Sequence, residues 1–355
     1  MKKSLEKFNI IKNRKIKVDD FINRALYKPK IGYYTNKMPF GKKGDFVTSP
    51  TISNLFSEII AIWIISSWET LGKPKIFNLV ELGPGDGSLS EVLLKTFKNF
   101  PTFNNSVKFF LYEKSEFLRR IQKKKLKGTN LKWINDYKNI KGGPIIFFGN
   151  EFFDAIPIKQ FFKKENRWFE KFVCINQQNK GIYTSKKFNM NKLEKKINFK
   201  ISKNQNFIEY SEEGLNYLKN ICEMIKKNSG GLLLIDYGYT EKKMKNTLQA
   251  ISNHKFANIL SNIGNIDITH NISFRILKSF LDKIGGLNIN LTTQKDFLIN
   301  MGIKKRAEII SKKASFLKKA DIYYRLKRLI DDNEMGNLFK VMLIRNKKNK
   351  FKIGF

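Results

Sequence analysis

The stretch "KIFNLVELGPGDGSLSEVLL", from Lys75 to Leu94, runs an apolar strand into three glycines and out into an amphipathic helix. A backbone that turns so tightly between strand and helix is the corner of a βαβ unit. It commits the chain to a parallel sheet covered on both faces. The following segments keep that rhythm: "VKFFLYE" reads as a strand, "SEFLRRIQKKKL" as a helix, "LKWI" and "PIIFFG" as strands, 212–227 as a helix and "GLLLIDYG" as a strand. The expected fold is α/β, a doubly wound Rossmann-like sheet.

Residues 1–70 read as an N-terminal helical and loop-rich lobe, and 71–355 as the doubly wound domain. A β-meander is expected as an insertion at about 156–187, and a loop-rich insertion at 239–275. Residues 100–107 read as a loop. The tail holds strands at "LNINLT" and "LFKVMLIR", with a basic helical stretch at 304–330 between them.

The glycine loop narrows the ligand. A phosphate-binding G-x-x-x-x-G-K-[ST] run is missing, and so is the dinucleotide pattern G-x-G-x-x-G. Gly83, Gly85 and Gly87 instead follow G-x-G-x-G after Glu81. That spacing suits a nucleoside whose sulfonium or carboxylate end rests on the loop. Gly85 admits close backbone approach, and Pro84 fixes φ in the turn. Glu81 is placed to bind an amino or sulfonium-bearing tail. Glu113 ends the second strand, where doubly wound nucleoside sites hold the acid that grips ribose hydroxyls. Asp136, after the third strand, is a candidate for the adenine amino group. The cofactor expected is S-adenosyl-L-methionine.

"PIIFFGNEFFDAIP" puts Asn150, Glu151, Phe152, Phe153 and Asp154 at the carboxyl end of the fourth strand, where ligands of open parallel sheets bind. An amine to be methylated needs carbonyls or carboxylates on its N–H groups, and aromatic rings such as Phe152 and Phe153 can cover a planar acceptor. An arginine also needs paired carboxylates to orient it and take a proton. Asn150, Glu151 and Asp154 are the candidate catalytic residues, with Glu151 and Asp154 at i and i+3 on one face of an entering helix.

Lys and Arg number 68 against 31 Asp and Glu, a net charge of +37. The lysines lie in scattered pairs, which fits a solvated basic surface better than a nucleic-acid groove. Cys174, Cys222, His254 and His270 lack metal-ligand spacing, so no metal is expected. "MKKSLEKFNIIKNRK" has no apolar core of a secretory signal, and "IIAIWIISSW" at 59–68 is too short to span a bilayer. It reads as a buried helix, with no membrane insertion expected.

Together these motifs resemble the MidA-like family of S-adenosylmethionine-dependent methyltransferases, whose mitochondrial members are protein arginine methyltransferases of respiratory complex I assembly. The likeness runs from about Val18 to Arg345 through "ALYKPKIGYYT", "FGKKGDFVTSPTIS", "ELGPGDGSL", "NEFFDAIPIKQF", "LLLIDYGY", "TLQAISNH" and "FKVMLI". It implies a class I methyltransferase fold and symmetric dimethylation of an arginine on a complex I subunit. The implied location is bacterial cytoplasm or mitochondrial matrix. The chain departs from the family pattern at Asp86, where the family has Arg, and at Thr51 and Ser273, where it has carboxylates. A nucleic-acid amine methyltransferase and a non-catalytic assembly chaperone are the competing readings.

Overall fold

A computed structural model describes residues 7–10, 14–36, 48–178, 180–252 and 255–355. His254 and the whole of the "FGKKGDFV" segment lie outside the described residues. In chain order the elements that build the site are α1 (Val18–Tyr27), α2 (Asn54–Thr70), β1 (Phe77–Leu82), α3 (Ser88–Phe97), β2 (Val107–Tyr112), α4 (Glu116–Lys125), β3 (Lys132–Ile134) and β4 (Ile145–Asn150). They continue with β5 (Lys159–Lys164), β6 (Arg167–Ile175), β7 (Gly181–Lys187), β8 (Phe207–Tyr210), α5 (Glu212–Asn228), β9 (Gly230–Tyr239), α6 (Phe274–Ile284), β10 (Leu287–Thr293), α7 (Ile303–Ser311), α8 (Phe316–Ile330) and β11 (Phe339–Asn346).

The central sheet is ordered β10-β11-β9-β4-β1-β2-β3. From β9 to β3 every pairing is parallel, and β11 runs antiparallel to both its neighbours. This is the doubly wound order expected, and it reverses between β1 and β4. The reversal opens a crevice beyond the carboxyl ends of those two strands.

Alternation along the strands divides the core. Phe77 and Leu79 face one side of the sheet, packed against α2 and α3, while Val80 and Leu82 face the other with α5 and α6. The run at 59–68 forms most of α2, with Trp63 and Ile64 fully buried. Residues 54–70 therefore share a core with the sheet, across the expected boundary at residue 70. A third cluster joins α1 and Tyr33 to Val173, Ile175 and the 250–268 segment.

The meander is present as antiparallel β5, β6 and β7, extended by β8 and by a two-residue strand at Ile16–Lys17. Two local expectations fail. Residues 101–106 are a short helix, not a loop: Pro101 presets its first turn, and Phe103 anchors it by packing edge-on to Trp68, Phe77 and Phe97. No helix follows β4 either. Glu151 has φ +54°, and the Asp236 carboxylate accepts the N–H groups of Phe153 (2.9 Å) and Asp154 (3.3 Å). Pro157 also disfavours helical geometry at Ile156. Among the described residues no helix is long and apolar enough to cross a membrane.

Candidate active site

The crevice contains an open cavity, about 840 Å³ of empty space with the solvent at its mouth included, lined on one side by Gly83, Gly85 and Glu113 and on the other by Glu151, Phe152 and Asp154. Its roof comes from Tyr27, Tyr34, Thr48 and Asp267, segments far apart in the chain. Pro84 and Gly87 shape the loop without lining the cavity. Gly87 (φ +82°) precedes α3. Gly83 sits at φ +62°, and a Cβ there would come within 2.7 Å of the Phe152 ring. Gly85, at φ +57°, is equally confined to a conformation that side-chain-bearing residues rarely adopt.

Glu113 is buried at the end of β2. One of its oxygens accepts the Ser115 N–H (2.8 Å), the other the Gln122 amide (3.2 Å). Burial pushes its carboxyl up to about 7, with those hydrogen bonds opposing the rise. The same Gln122 amide donates to the Gly85 carbonyl (2.8 Å), and its oxygen accepts from the Trp133 indole (2.9 Å). One side chain on α4 thus ties the glycine loop to the acid of the next strand. Each carboxylate oxygen has a second lone pair for a hydroxyl donor.

Glu81 and Asp136 lie off the cavity. The buried Glu81 carboxyl receives the Ser90 hydroxyl, and burial raises it to about 8. Asp136 is exposed and accepts the N–H of Lys138 (2.9 Å).

The segment after β4 holds several acids together. Asn150 donates to Glu151 Oε1 at 2.9 Å, and the Glu151 N–H donates to the Ile235 carbonyl at 3.0 Å. Burial, then the neighbouring Asp154 charge, pushes Glu151 up to about 8. Asp154 is raised by burial and by Asp236 and Asp267. Asp154 Oδ1 and Asn150 Oδ1 are buried with no hydrogen-bond partner among the described residues. Phe152 lines the cavity, edge-on to Tyr217 at 5.5 Å, whereas Phe153 turns into a neighbouring apolar cavity with His270 and Ser273.

Besides Gln122, four residues of the site were not assigned a role from sequence: Asp236, Asp267, Tyr34 and Tyr27. Asp236, fully buried in β9 just past its last pairing with β4, fixes the turn that presents Asp154. A lone acid in the otherwise apolar run "GLLLIDYG" was a usable signal. Asp267 accepts the Tyr34 hydroxyl (2.9 Å), and Tyr27 donates to the Ala155 carbonyl (3.0 Å). No local pattern marks either contact.

A glycine cradle, an acid with free acceptor capacity and an open cavity between them fit S-adenosyl-L-methionine, and Gly83, Gly85 and Glu113 are the residues that would hold it. Residues 59–292 match the family model described as "Putative S-adenosyl-L-methionine-dependent methyltransferase". This chain belongs to that family. It is an S-adenosyl-L-methionine-dependent methyltransferase, and its resemblance to the MidA-like group holds over nearly its whole length.

Among its relatives, "Protein arginine methyltransferase NDUFAF7, mitochondrial" of Danio rerio is 28% identical, covering 95% of this chain and 85% of the relative. The Homo sapiens protein of that name is 28% identical over 84% of this chain and 73% of its own. A Burkholderia thailandensis protein crystallised with S-adenosyl-homocysteine superposes with TM-score 0.81 at 21% identity, covering 99% of this chain and 92% of that one, and so shares the class I methyltransferase fold.

The family departures can now be placed. Asp86 accepts the Ser88 N–H (3.0 Å) and pairs with Lys125 (2.5 Å), so its charge caps α3 and is balanced there. Thr51 donates to the carbonyl of Thr48, a cavity residue (2.9 Å), and Ser273 lies in the neighbouring cavity.

Proposed function

We propose that this methyltransferase acts on the guanidinium of a protein arginine, with Glu151 and Asp154 as the acceptor-binding pair. The observation that carries this reading is the convergence of buried carboxyls beside the glycine loop. Burying such groups is costly unless a cation joins them. A guanidinium offers planar, paired donors that match two carboxylates, and Asp154 Oδ1 has acceptor capacity to spare.

Arginine does not release its proton to water near neutral pH, so methylation needs a base at the reacting nitrogen. Bound S-adenosyl-L-methionine supplies an electrophilic methyl group. Glu151, whose burial raises its proton affinity, accepts the proton as the nitrogen gains the methyl. Asn150 orients that carboxylate through its amide, and Phe152 covers the planar group. Glu81 braces α3 behind the loop through Ser90, and Asp136, exposed and off the cavity, takes no part in this reading.

The named function of the relatives supports arginine as acceptor. A respiratory complex I subunit as substrate and symmetric dimethylation as product follow from the family resemblance, with a bacterial cytoplasm or mitochondrial matrix as the setting. The test is mass spectrometry of arginine methylation in cells with and without the gene, followed by methyl transfer to the identified peptide in vitro. Methylation that appears only on nucleic acid, or only on lysine, would refute the arginine assignment.

A further inference from the structure

The stretch "SKKASFLKKAD", from Ser311 to Asp321, joins α7 to α8 at a corner remote in sequence from every cavity residue. α8 has a conventional inner face: Ile322, Leu326 and Leu329 are buried in the core beside the sheet. Its outer face carries exposed apolar side chains beside the charged Asp321 and Lys327. Phe316 is 83% exposed, Leu317 80% and Tyr324 64%. Leu317, Ala320 and Tyr324 recur at helical spacing on that face, opposite the buried stripe.

Four lysines surround the Phe-Leu tip, Lys312, Lys313, Lys318 and Lys319, all exposed. The nearby acids are engaged elsewhere: Asp321 pairs with Arg325 at 2.8 Å and Glu308 with Lys305 at 3.0 Å. None of the four lysines has an ion pair among the described residues. Ser315 caps α8, so the two apolar residues are presented on its ordered first turn.

Large exposed apolar groups ringed by unpaired cations mark an interaction surface. The tip sits at a helix start, and neither Phe316 nor Leu317 lines the active-site cavity. Two side chains offer too little area for a protein interface of ordinary size. They are enough for shallow insertion where lysines are also drawn to anionic headgroups and Tyr324 can sit at headgroup level. We propose that the Phe316–Leu317 tip docks this protein peripherally on an anionic lipid surface, with the four lysines on the headgroups. A stacking site for single-stranded nucleic acid would use the Phe316 ring and the lysines, but it would give Leu317 no part.

The test is co-sedimentation of the full chain with phosphatidylcholine vesicles, with and without phosphatidylserine. Binding is expected only with the anionic lipid and should weaken as salt rises. Because the whole molecule is basic, the deciding variant keeps every charge. Phe316→Ser/Leu317→Ser should lose at least about tenfold in vesicle partitioning, with an unchanged melting curve. Lys318→Gln/Lys319→Gln should weaken binding and its salt dependence, while Lys226→Gln/Lys227→Gln, on α5, should do neither. Equal partitioning of the Ser/Ser variant and the parent would overturn the proposal, reducing the effect to bulk charge. So would failure of the parent to bind anionic vesicles, including the case where it binds RNA through the same residues.

Discussion

At the residue scale, Glu151 carries two opposed costs. Its carboxyl is buried beside other acids, and its backbone holds a left-handed conformation that a non-glycine residue rarely adopts. Glu151→Gln keeps shape and one acceptor but removes the charge. It should lower methyl transfer by at least about two orders of magnitude and leave cofactor affinity nearly unchanged. Turnover assays paired with calorimetry separate these effects, and full activity in the variant would defeat the carboxylate clamp. Because burial pushes the Glu151 carboxyl up to about 8, kcat/KM for the parent should climb with pH up to that value.

Stability runs the other way. A folded-state pKa above the ordinary glutamate value favours the protonated native form. That contribution is full below the ordinary range and lost as pH rises through about 8. Melting curves should therefore show Glu151→Gln gaining on the parent as pH rises toward 8. Glu113→Ala, by contrast, should weaken cofactor binding at least about tenfold, since it removes an acceptor for hydroxyl donors.

At the element scale the site is a joint between the ends of neighbouring strands, and its precision comes from side chains that bridge them. Gln122 reaches from α4 to both the Gly85 carbonyl and Glu113. Gln122→Leu should cut cofactor affinity about tenfold by freeing loop and acid together and leaving the Trp133 indole without its acceptor. Calorimetry on Gln122→Leu and Glu113→Ala, singly and combined, should give losses that do not add, because the two residues act as one unit. Additive losses would mean that Gln122 only packs.

The glycine loop, Glu113 and the Glu151–Asp154 segment were legible because each lies within a few residues of a strand end, and strands announce themselves by pattern. The turn after β4 was misread as a helix because what holds it is Asp236, 82 residues downstream of Asp154. The Tyr34–Asp267 contact spans 233 residues. No local propensity records such a pairing. Asp136 was placed by strand order alone, which says where a loop starts but not where its side chains point.

At the scale of the whole molecule, α2 and the segment that follows β11 close one core. The Trp63 indole donates to the Ile353 carbonyl at 3.1 Å, and its ring meets Phe351 edge-on. Phe56, Ile60 and Ile64, also on α2, are buried in the cluster that contains Leu79, Phe148 and Val341 of the sheet. Removing residues 1–70 would strip this face of the sheet of α2, the most deeply buried of its covering helices. Each large side chain lost is worth roughly 1.5–3 kcal/mol of burial, and several are lost together. Their sum meets or exceeds the ~5–15 kcal/mol by which a whole domain is stable. The fragment 71–355 should therefore show no cooperative melt and rapid proteolysis, although it retains every strand of the central sheet and the glycine loop. The full chain should unfold cooperatively, at a temperature that rises when S-adenosyl-L-methionine is added. A fragment that melted sharply and bound the cofactor would show instead that the sheet can close its core without α2, and that the N-terminal segment serves only to roof the acceptor side.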